Sequence, residues 1–277
     1  QALNVSEGHK RILSYLPICH IFERAASYYY QYLGYQIHFA ESIELLGDNI
    51  REVKPHFLAV VPRLLEKIFD KIVDKGSQLK GIKKVLFFWA IALGEQYQPY
   101  GKNGAFYTFK LRLARKLIFS KWQAALGGNL EFMLSGSAPM QDRLIRVFLA
   151  AGIPVFEGYG MTESSPAITL NDLRNEGLKI GTVGKPLTGL TVKIASDGEI
   201  LMKGSSVMMG YYKNPETTAE VLNDGWFSTG DIGIIKEGFL KITDRKKELF
   251  KTSGGKYVAP QVLENALKES HFIEQCM

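Results

Sequence analysis

Short apolar runs followed by helical apolar spacing dominate the first part of the chain. Residues 56–61 form an apolar run that ends at Pro62, and residues 63–73 then place apolar side chains at helical spacing. A proline is favoured in the first turn of a helix. The pattern predicts a strand that leads directly into a helix, and residues 1–80 as a whole predict alternating strands and helices.

The same pattern recurs further along the chain. Residues 130–134 predict a strand, residues 136–139 a turn, and residues 140–151 a helix closed by a glycine. The next strand begins at residues 154–157. Ligands of open α/β sheets bind outside the carboxyl ends of the strands. We therefore expect the loops at 136–139 and 158–163 to be neighbours.

Two segments depart from this pattern. Residues 81–122 predict an inserted helical region with a Gly-Lys-Asn-Gly break at 101–104. The basic residues that follow the break indicate a solvated helix face, which is the more common case, or a helix at a membrane surface. Residues 181–243 consist of short alternating runs, with hairpin turns predicted at Asp197-Gly198 and Glu237-Gly238. The second segment predicts a small barrel or sandwich.

These patterns predict an α/β protein. Residues 1–180 form an α/β subdomain that includes the helical insertion at 81–122, and residues 181–243 form a β-rich subdomain.

Composition restricts the functional classes. The chain has 277 residues, of which 46% are hydrophobic and 22% charged, as in a globular protein. A net charge of +6 suits anionic partners such as nucleotides, coenzyme A or a membrane surface, but the basic residues occur throughout the chain, so nucleic acid is not favoured. Cys19 and Cys276 lie too far apart in sequence to suggest a disulfide framework, and we identify no secretion signal. The longest apolar stretch, residues 85–93, is too short to cross a bilayer. A cytoplasmic protein is predicted, with peripheral association at the inner face of the membrane as the alternative.

The run Gly158-Tyr159-Gly160-Met161-Thr162-Glu163 carries the first candidate chemistry. Glycines 158 and 160 allow close backbone approach to a flat ligand and conformations that other residues avoid. Tyr159 could stack on a base, Thr162 could bind a phosphate oxygen, and Glu163 offers a hard oxygen ligand for Mg²⁺. The alternative is an ordinary glycine turn in which Thr162 caps a short helix and Glu163 is solvated.

Two later residues have chemistry that complements this run. Asp231 follows a predicted strand and a tight turn, where one carboxylate can accept hydrogen bonds from both ribose hydroxyls. Arg245 adds a permanently charged fork suited to ribose or phosphate oxygens. Taken singly, the first is equally a turn aspartate and the second a surface arginine.

The motifs together resemble the adenylate-forming superfamily, specifically the long-chain fatty acid CoA ligases. The resemblance rests on GYGMTE, GEILMKGSSVMMGYY, WFSTGD and ITDRKKELFKTSGGKYVAP in that order, preceded by LPICHIFER at residues 16–24 and Gly-Ser-Ala-Pro at 136–139. It covers nearly the whole chain, and residues 81–122 are its least diagnostic part. The resemblance also implies that residues 244–277 contain the hinge and the start of a small C-terminal lid domain.

The resemblance implies ATP, Mg²⁺ and coenzyme A as cofactors and a long-chain fatty acid as substrate. It also implies a site. Adenine would lie between the loop of Gly136, Ser137, Ala138 and Pro139 and the ring of Tyr159, which stands between Gly158 and Gly160. Thr162 would contact the α-phosphate, Glu163 would bind the metal, and Asp231 and Arg245 would bind the ribose. Asp244 would be the hinge of the C-terminal domain, and Ser253, Gly254 and Gly255 would lie along the coenzyme A arm.

The implied reaction first forms an acyl adenylate with release of pyrophosphate and then a thioester with coenzyme A. No protein nucleophile is required. His20 either lies by the acyl carboxylate and gates the acyl tunnel or is a structural histidine, and the resemblance favours the first role.

Two parts of the family pattern are missing from the 277 residues. A Ser/Thr/Gly-rich phosphate loop ending in Pro-Lys-Gly is absent, and neither Lys251 nor Lys256 occupies the motif of the family's C-terminal catalytic lysine. We expect that both ends are cuts through a longer protein and that this polypeptide alone is inactive or weakly active.

Three alternatives remain at the level of sequence. One is an enzyme that activates an aryl or amino acid, and another is a non-catalytic acyl- or nucleotide-binding module docked on a membrane through residues 81–122. A dinucleotide oxidoreductase is disfavoured, because no G-x-G-x-x-G run follows a strand and opens a helix.

Overall fold

A parallel sheet of five strands organises the first of two compact units in the computed structural model, which describes residues 9–246, 250–251, 257–258, 260–267 and 273. Its order is β2-β1-β3-β4-β5. The strands are β1 Arg11–Ser14, β2 Gln36–Phe39, β3 Phe57–Val60, β4 Phe132–Ser135 and β5 Val155–Gly160. All four side chains of β3 are buried, as expected for the centre of a sheet covered on both faces.

The helices of this unit connect the strands and cover the sheet. They are α1 Ile21–Tyr32, α2 Leu46–Val53, α3 Pro62–Ser77, α4 Gly81–Glu95, α5 Gly104–Ala114, α6 Ser120–Ala125 and α7 Asp142–Ala150, with a π-helical turn at Arg115–Phe119 between α5 and α6. The predicted strand-to-helix unit is confirmed by β3 and α3, and Pro62 is the first residue of the helix. The predicted strand, turn and helix over 130–151 are confirmed by β4 and α7.

The helical prediction for residues 81–122 is also confirmed. Its break carries two left-handed glycines, Gly101 (φ 71°) and Gly104 (φ 81°). The segment supplies part of the main core, because Phe87, Phe119 and Trp122 are buried among the side chains of the sheet-covering helices. Trp122 lies edge-on to Phe119, with ring centroids 5.0 Å apart.

The second unit comprises Tyr159–Asn171 and the described residues from 181 onward, while Asp172–Ile180 belongs to the first. Its strands are β6 Ala167–Leu170, β7 Lys185–Pro186, β8 Leu190–Ile194, β9 Glu199–Gly204, β10 Leu222–Asn223, β11 Trp226–Lys236, β12 Phe239–Arg245, β13 Phe250–Lys251 and β14 Tyr257–Val258. Its helices are α8 Pro215–Val221 and α9 Pro260–Leu267.

An antiparallel sheet forms the centre of the second unit. Strand β11 pairs with both β9 and β12, and β8 pairs with β9. Gly198 (φ 90°) and the pair Glu237 (φ 57°) and Gly238 (φ 79°) close the two predicted hairpins, which are confirmed. A separate core of Ile168, Ile200, Met202 and other apolar side chains lies under these strands.

Candidate functional site

Tyr159 and Asp231 form a buried pair in the second unit. The tyrosine hydroxyl donates a hydrogen bond to Oδ2 of the aspartate over 2.6 Å, and the two residues are 8% and 7% exposed. Burial raises the pKa of Tyr159, and the negative charge of Asp231 raises it further, so the phenol keeps its proton. The structure thus joins two side chains that are 72 positions apart in sequence.

Arg245 completes this group from the neighbouring strand. Residues 231 and 245 are direct partners in the β11–β12 ladder, and Nε of Arg245 lies 3.4 Å from Oδ1 of Asp231. The arginine side chain is 66% exposed, so its remaining donors are open to a ligand. Asp244, the predicted hinge, lies within β12, is 1% exposed, and accepts a hydrogen bond from the Arg245 N–H at 2.6 Å.

Glu163 lies in a 3₁₀ turn, Thr162–Ser164, and is attached twice to the loop that precedes α8. Its Oε1 accepts a hydrogen bond from the hydroxyl of Tyr211 at 2.9 Å, and its carbonyl accepts one from Met208 N–H at 2.8 Å. The Tyr211 N–H in turn donates to Oγ1 of Thr218 in α8. Thr162 is exposed, so its hydroxyl is accessible to a phosphate oxygen.

Glu163 offers an oxygen ligand of the kind that magnesium binds. The described part of the chain has no group of three or more His, Cys, Asp or Glu residues that could hold a metal ion. Magnesium commonly binds through one or two carboxylates, several waters and substrate phosphates. A single carboxylate, fixed in direction by Tyr211, meets that requirement.

A steric constraint requires glycine at position 160, and the sequence motif does not reveal it. A Cβ atom at this position would lie 1.8 Å from the carbonyl oxygen of Pro166, so no larger residue fits. Neither Gly158 nor Gly160 has a positive φ. The expectation that these glycines adopt backbone conformations that other residues avoid is therefore wrong. Glycine is required at position 160 because the backbone of Pro166 approaches it too closely for a side chain.

The Gly-Ser-Ala-Pro loop lies at the end of β4 in the first unit. Strands β4 and β5 are parallel neighbours, with Ser135 opposite Glu157, so the loop starts beside Gly158 as predicted. An ideal Cβ on Gly136 would lie 3.8 Å from the Gly158 carbonyl oxygen. Ser137 is left-handed (φ 72°), and residues 137–139 are exposed.

A buried carboxyl holds the far end of this loop. Oε1 of Glu157 accepts a hydrogen bond from Met140 N–H at 3.4 Å, and Glu157 is 8% exposed. Burial raises the pKa of Glu157 to about 8, and the nearby Asp142 adds to the shift. Glu157 is therefore largely protonated at neutral pH.

His20 is the N-cap residue of α1 and is exposed. It follows the end of β1, which lies between β2 and β3, where the order of the strands reverses; such switch points are usual ligand sites in α/β sheets. Glu23, in the first turn of α1, is 2% exposed and accepts a hydrogen bond from the Ser14 hydroxyl at 2.5 Å. Burial raises the pKa of Glu23. The contact fixes the first turn of α1, and with it His20, against β1.

The predicted coenzyme A residues Ser253, Gly254 and Gly255 lie outside the described residues, as does Cys276. Cys19 is exposed and is not in a disulfide. Within the described chain, no helix has both the length and the apolar character needed to cross a membrane.

Sequence reasoning overlooked several side chains that shape the site. Tyr211, Glu199, Lys246 and Glu157 all contact candidate residues or the loops that carry them. Each lies inside or directly beside one of the sequence motifs, but no local pattern identifies its partner in space.

Comparison with known proteins supports the interpretation of these motifs. Residues 1–212 match the AMP-binding enzyme family. The long-chain-fatty-acid–CoA ligase FadD15 of Mycobacterium bovis is 37% identical over 97% of this chain and 45% of its own length. Long-chain-fatty-acid–CoA ligase 5 of Rattus norvegicus is 37% identical over 95% of this chain and 39% of its own length. The chain thus spans less than half the length of these curated relatives.

Solved structures show the same fold. The o-succinylbenzoate CoA synthetase of Bacillus subtilis in complex with its acyl-adenylate intermediate has a TM-score of 0.69 at 22% identity, covering 96% of this chain and 47% of that one. Its complex with ATP and magnesium has a TM-score of 0.65 at 23% identity, covering 93% and 46%. The N-terminal domain of FACL13 from Mycobacterium tuberculosis has a TM-score of 0.61 at 21% identity, covering 88% and 53%.

Proposed function

Since the chain belongs to the AMP-binding enzyme family, we propose that it contributes the nucleotide-binding part of a long-chain fatty acid CoA ligase. The observation that carries the proposal is the buried Tyr159–Asp231 pair with Arg245 beside it. This arrangement combines an aromatic ring suited to a base, a fixed carboxylate suited to ribose hydroxyls and an exposed guanidinium suited to ribose or phosphate oxygens. The relatives named as long-chain fatty acid CoA ligases support the choice of acid.

The proposed reaction has two steps. A carboxylate oxygen of the fatty acid forms a bond to the α-phosphorus of ATP while the bond to the pyrophosphate oxygen breaks. The thiol sulfur of coenzyme A then attacks the acyl carbon, its proton is released, and AMP leaves.

The protein's contribution is positioning and charge neutralisation. Asp231 and Arg245 hold the ribose, Tyr159 flanks the base, and the exposed Thr162 hydroxyl donates to the α-phosphate. Glu163 would hold Mg²⁺, which would neutralise phosphate charge when bound. Ser137 and Ala138 stay predictions for the adenine contact, His20 for the acyl carboxylate, Asp244 for the hinge, and Ser253, Gly254 and Gly255 for coenzyme A.

The substrate class is tested on the full-length gene product. Purified protein with ATP, Mg²⁺ and coenzyme A is assayed against fatty acids of increasing chain length, a benzoate and several amino acids. We expect AMP and acyl-CoA to form with long fatty acids such as palmitate. Turnover with the aryl or amino acids alone would contradict the proposal and favour the aryl- or amino-acid-activating alternative.

The 277 residues alone do not form acyl adenylate at a useful rate in this proposal. They contain neither the Pro-Lys-Gly phosphate loop nor the C-terminal lysine motif that the family resemblance implies. Losing even one oxyanion donor can cost about 3 kcal/mol of transition-state stabilisation. Palmitate-dependent exchange of pyrophosphate into ATP by the 277-residue polypeptide would disprove this point, whereas AMP binding without exchange would agree with it.

A separate observation favours a peripheral membrane contact through residues 81–122. The segment contains eight Lys or Arg residues and one acidic residue, which leaves 26 basic and 27 acidic residues in the rest of the chain. The positive net charge of the protein is therefore concentrated in the segment that contains α4, α5, the π-helical turn and the start of α6.

Exposed apolar side chains accompany this charge. Phe106, Phe109, Leu113 and Leu117 are 73%, 66%, 44% and 40% exposed and recur at helical spacing from α5 into the π-helical turn. Lys110 lies over the Phe106 ring, with its Nζ 4.2 Å from the ring centroid. An apolar stripe flanked by basic residues is typical of helices that lie in the interface of an anionic bilayer.

The membrane contact is tested by co-sedimentation with vesicles of neutral phosphatidylcholine or of phosphatidylcholine with phosphatidylglycerol. We expect binding to the anionic vesicles that falls with salt and that is lost in the variant K110Q/R112Q/K116Q. The variant K67Q/K71Q/K75Q on α3 removes the same charge and should bind normally. Equal loss in both variants, or equal binding to neutral vesicles, would contradict the proposal.

A further inference from the structure

Glu199 is a buried carboxylate that the proposed reaction does not use. It begins β9, directly after the Asp197-Gly198 hairpin turn, and is 8% exposed. Both oxygens are engaged: Oε1 accepts a hydrogen bond from Gly230 N–H at 2.9 Å, and Oε2 lies 2.7 Å from Nζ of Lys246. The carboxylate therefore joins the start of β9 to Gly230 in β11 and to Lys246 directly after β12, which lie 31 and 47 positions further along the chain.

Each of these two segments carries a candidate nucleoside residue. Gly230 directly precedes Asp231, and Lys246 directly follows Arg245. The two segments also meet through their backbones, because Lys246 N–H donates to the Gly230 carbonyl at 2.9 Å. Glu199 thus holds the neighbours of both members of the Asp231–Arg245 pair.

The backbone of β11 is irregular around Gly230, so a hydrogen bond from outside the regular ladder is needed to fix it. The pairing of β11 with β9 shifts register between Ser228 and Ile232, and Gly230 has a left-handed φ of 75°. Bulges of this kind direct side chains at functional sites but interrupt the regular ladder. The Glu199 carboxylate supplies the hydrogen bond that fixes the Gly230 N–H within the bulge.

Lys246 also contacts a second carboxylate, which is more exposed than that of Glu199. Its Nζ also lies 2.7 Å from Oδ2 of Asp197, whose side chain is 50% exposed, against 11% for Glu199. The hydrogen bonds to Asp197 and Glu199 raise the pKa of Lys246. An exposed ion pair contributes little because water screens it, so the buried Glu199 contact is the one expected to fix Lys246.

We propose that Glu199 is a positioning residue for nucleoside binding, which fixes Asp231 through Gly230 and Arg245 through Lys246. The inference rests on the proposed function, because it assumes that Asp231 and Arg245 hold ribose hydroxyls. It assigns a role to the GEILMKG segment of the chain, which supplies Glu199 at the start of β9.

The proposal is tested with three variants of the 277-residue chain and two nucleotides. Glu199→Ala removes both contacts, Glu199→Gln keeps an acceptor for Gly230 N–H but loses the ion pair, and Asp197→Asn removes only the exposed partner of Lys246. Affinities are measured by calorimetry for AMP and for 2′,3′-dideoxy-AMP, which lacks the ribose hydroxyls.

We expect AMP affinity to fall by about 10-fold or more in Glu199→Ala and by roughly 3-fold in Glu199→Gln, because removing one partner leaves buried polar groups unsatisfied. Asp197→Asn should change it by less than about 2-fold. Affinity for the dideoxy nucleotide should not change in any variant. An equal loss of affinity for both nucleotides would show a general structural effect and would overturn the proposal.

A readout without nucleotide separates this inference from the proposed function. Amide hydrogen exchange of the ligand-free chain should be faster at Gly230 and Asp231 in Glu199→Ala than in wild type, and unchanged in Asp197→Asn. Unchanged exchange in Glu199→Ala would overturn the positioning role. If the wild type binds no AMP, the proposed function fails, while the exchange result still decides whether Glu199 fixes the bulge.

Discussion

The Tyr159 hydroxyl donates to Oδ2 of Asp231 over 2.6 Å, in a contact from which water is largely excluded. One carboxylate oxygen is therefore committed to the tyrosine, while Oδ1 faces Arg245 at 3.4 Å. The aromatic ring and the carboxylate are fixed as one unit, so a change in either should affect the other.

Tyr159→Phe tests this coupling. The substitution keeps the ring but leaves Asp231 without its donor, and a hydrogen bond to a charged group contributes about 1.5–3 kcal/mol. We expect the free energy of unfolding of the second unit to fall by that amount and AMP affinity to fall with it. Chemical denaturation and calorimetry measure the two effects.

The control for Tyr159→Phe is Tyr32→Phe, which removes a hydroxyl from a residue that is 80% exposed. It should leave both quantities unchanged. Wild-type stability in Tyr159→Phe would contradict a structural role for the hydrogen bond to Asp231.

Tyr211→Phe tests whether Glu163 affects metal binding independently of nucleoside binding. Because the Tyr211 hydroxyl fixes Oε1 of Glu163 at 2.9 Å, its loss should weaken ATP binding in the presence of Mg²⁺ by roughly 3- to 10-fold, the effect of about 1 kcal/mol for one hydrogen bond. AMP binding without Mg²⁺ should not change. Calorimetry with and without Mg²⁺ checks both statements.

Two variants frame that result. Glu163→Gln removes the metal ligand itself and should have the larger effect on Mg²⁺-dependent binding. Tyr212→Phe, next to Tyr211 but 88% exposed, should have none. An equal change of AMP and Mg²⁺–ATP affinity in Tyr211→Phe would argue against a role at the metal.

Glu157→Gln should alter the pH dependence of stability. Burial raises the pKa of Glu157 in the folded protein to about 8, from 4.5 as its ordinary value. Between these values the folded state binds more protons than the unfolded state, so the contribution of this group to stability falls as pH rises. Each unit of pKa corresponds to about 1.4 kcal/mol, so the loss can reach a few kcal/mol near pH 8.

The glutamine variant cannot ionise and should therefore gain stability relative to wild type as pH rises from about 5 to 8. Denaturation across this range measures the difference. Glu52→Gln, at an exposed position of α2, serves as the control and should follow wild type. A constant difference between Glu157→Gln and wild type at all pH values would contradict the raised pKa.

Gly160→Ala tests the packing reason for the second glycine of the motif. Its Cβ would lie 1.8 Å from the Pro166 carbonyl oxygen, so the backbone must move. We expect a loss of about 3 kcal/mol in the free energy of unfolding, at the upper end for overpacking. Thermal and chemical denaturation measure it.

Gly47→Ala is the matched control for this glycine. Gly47 lies in α2, has no positive φ, and an added Cβ would contact nothing within 4 Å. The exchange should stabilise the chain by about 0.5–1 kcal/mol, because alanine favours the helix. Equal effects at the two positions would show that space is not what requires Gly160.

Local patterns predicted much of the fold because the signals are short in range. Pro62 marked the start of α3, and the Asp197-Gly198 and Glu237-Gly238 pairs marked hairpin turns, since each depends on the φ values of one or two residues. Helix α8 was not predicted. It is seven residues long and has no buried side chain, so no apolar periodicity signals it.

The candidate site likewise contains residues that local patterns identify and partners that they do not. The motifs identified Tyr159, Glu163, Asp231 and Arg245 by residue type and order, whereas their partners were invisible. No local pattern relates Tyr211 to Glu163 or Glu199 to Lys246, because these pairs are 48 and 47 positions apart.

The sequence by itself determined the class of fold, the family and the residue types at the site, because these depend on period, turn chemistry and motif order. Only the tertiary structure decided that Tyr159 hydrogen-bonds Asp231, that Tyr211 fixes Glu163, and that Gly160 is required by the approach of Pro166. It also decided that Glu157 lies buried with a raised pKa. The physical reason is that strand pairing and burial set distances and solvation between residues that are remote along the chain, and no local pattern encodes either.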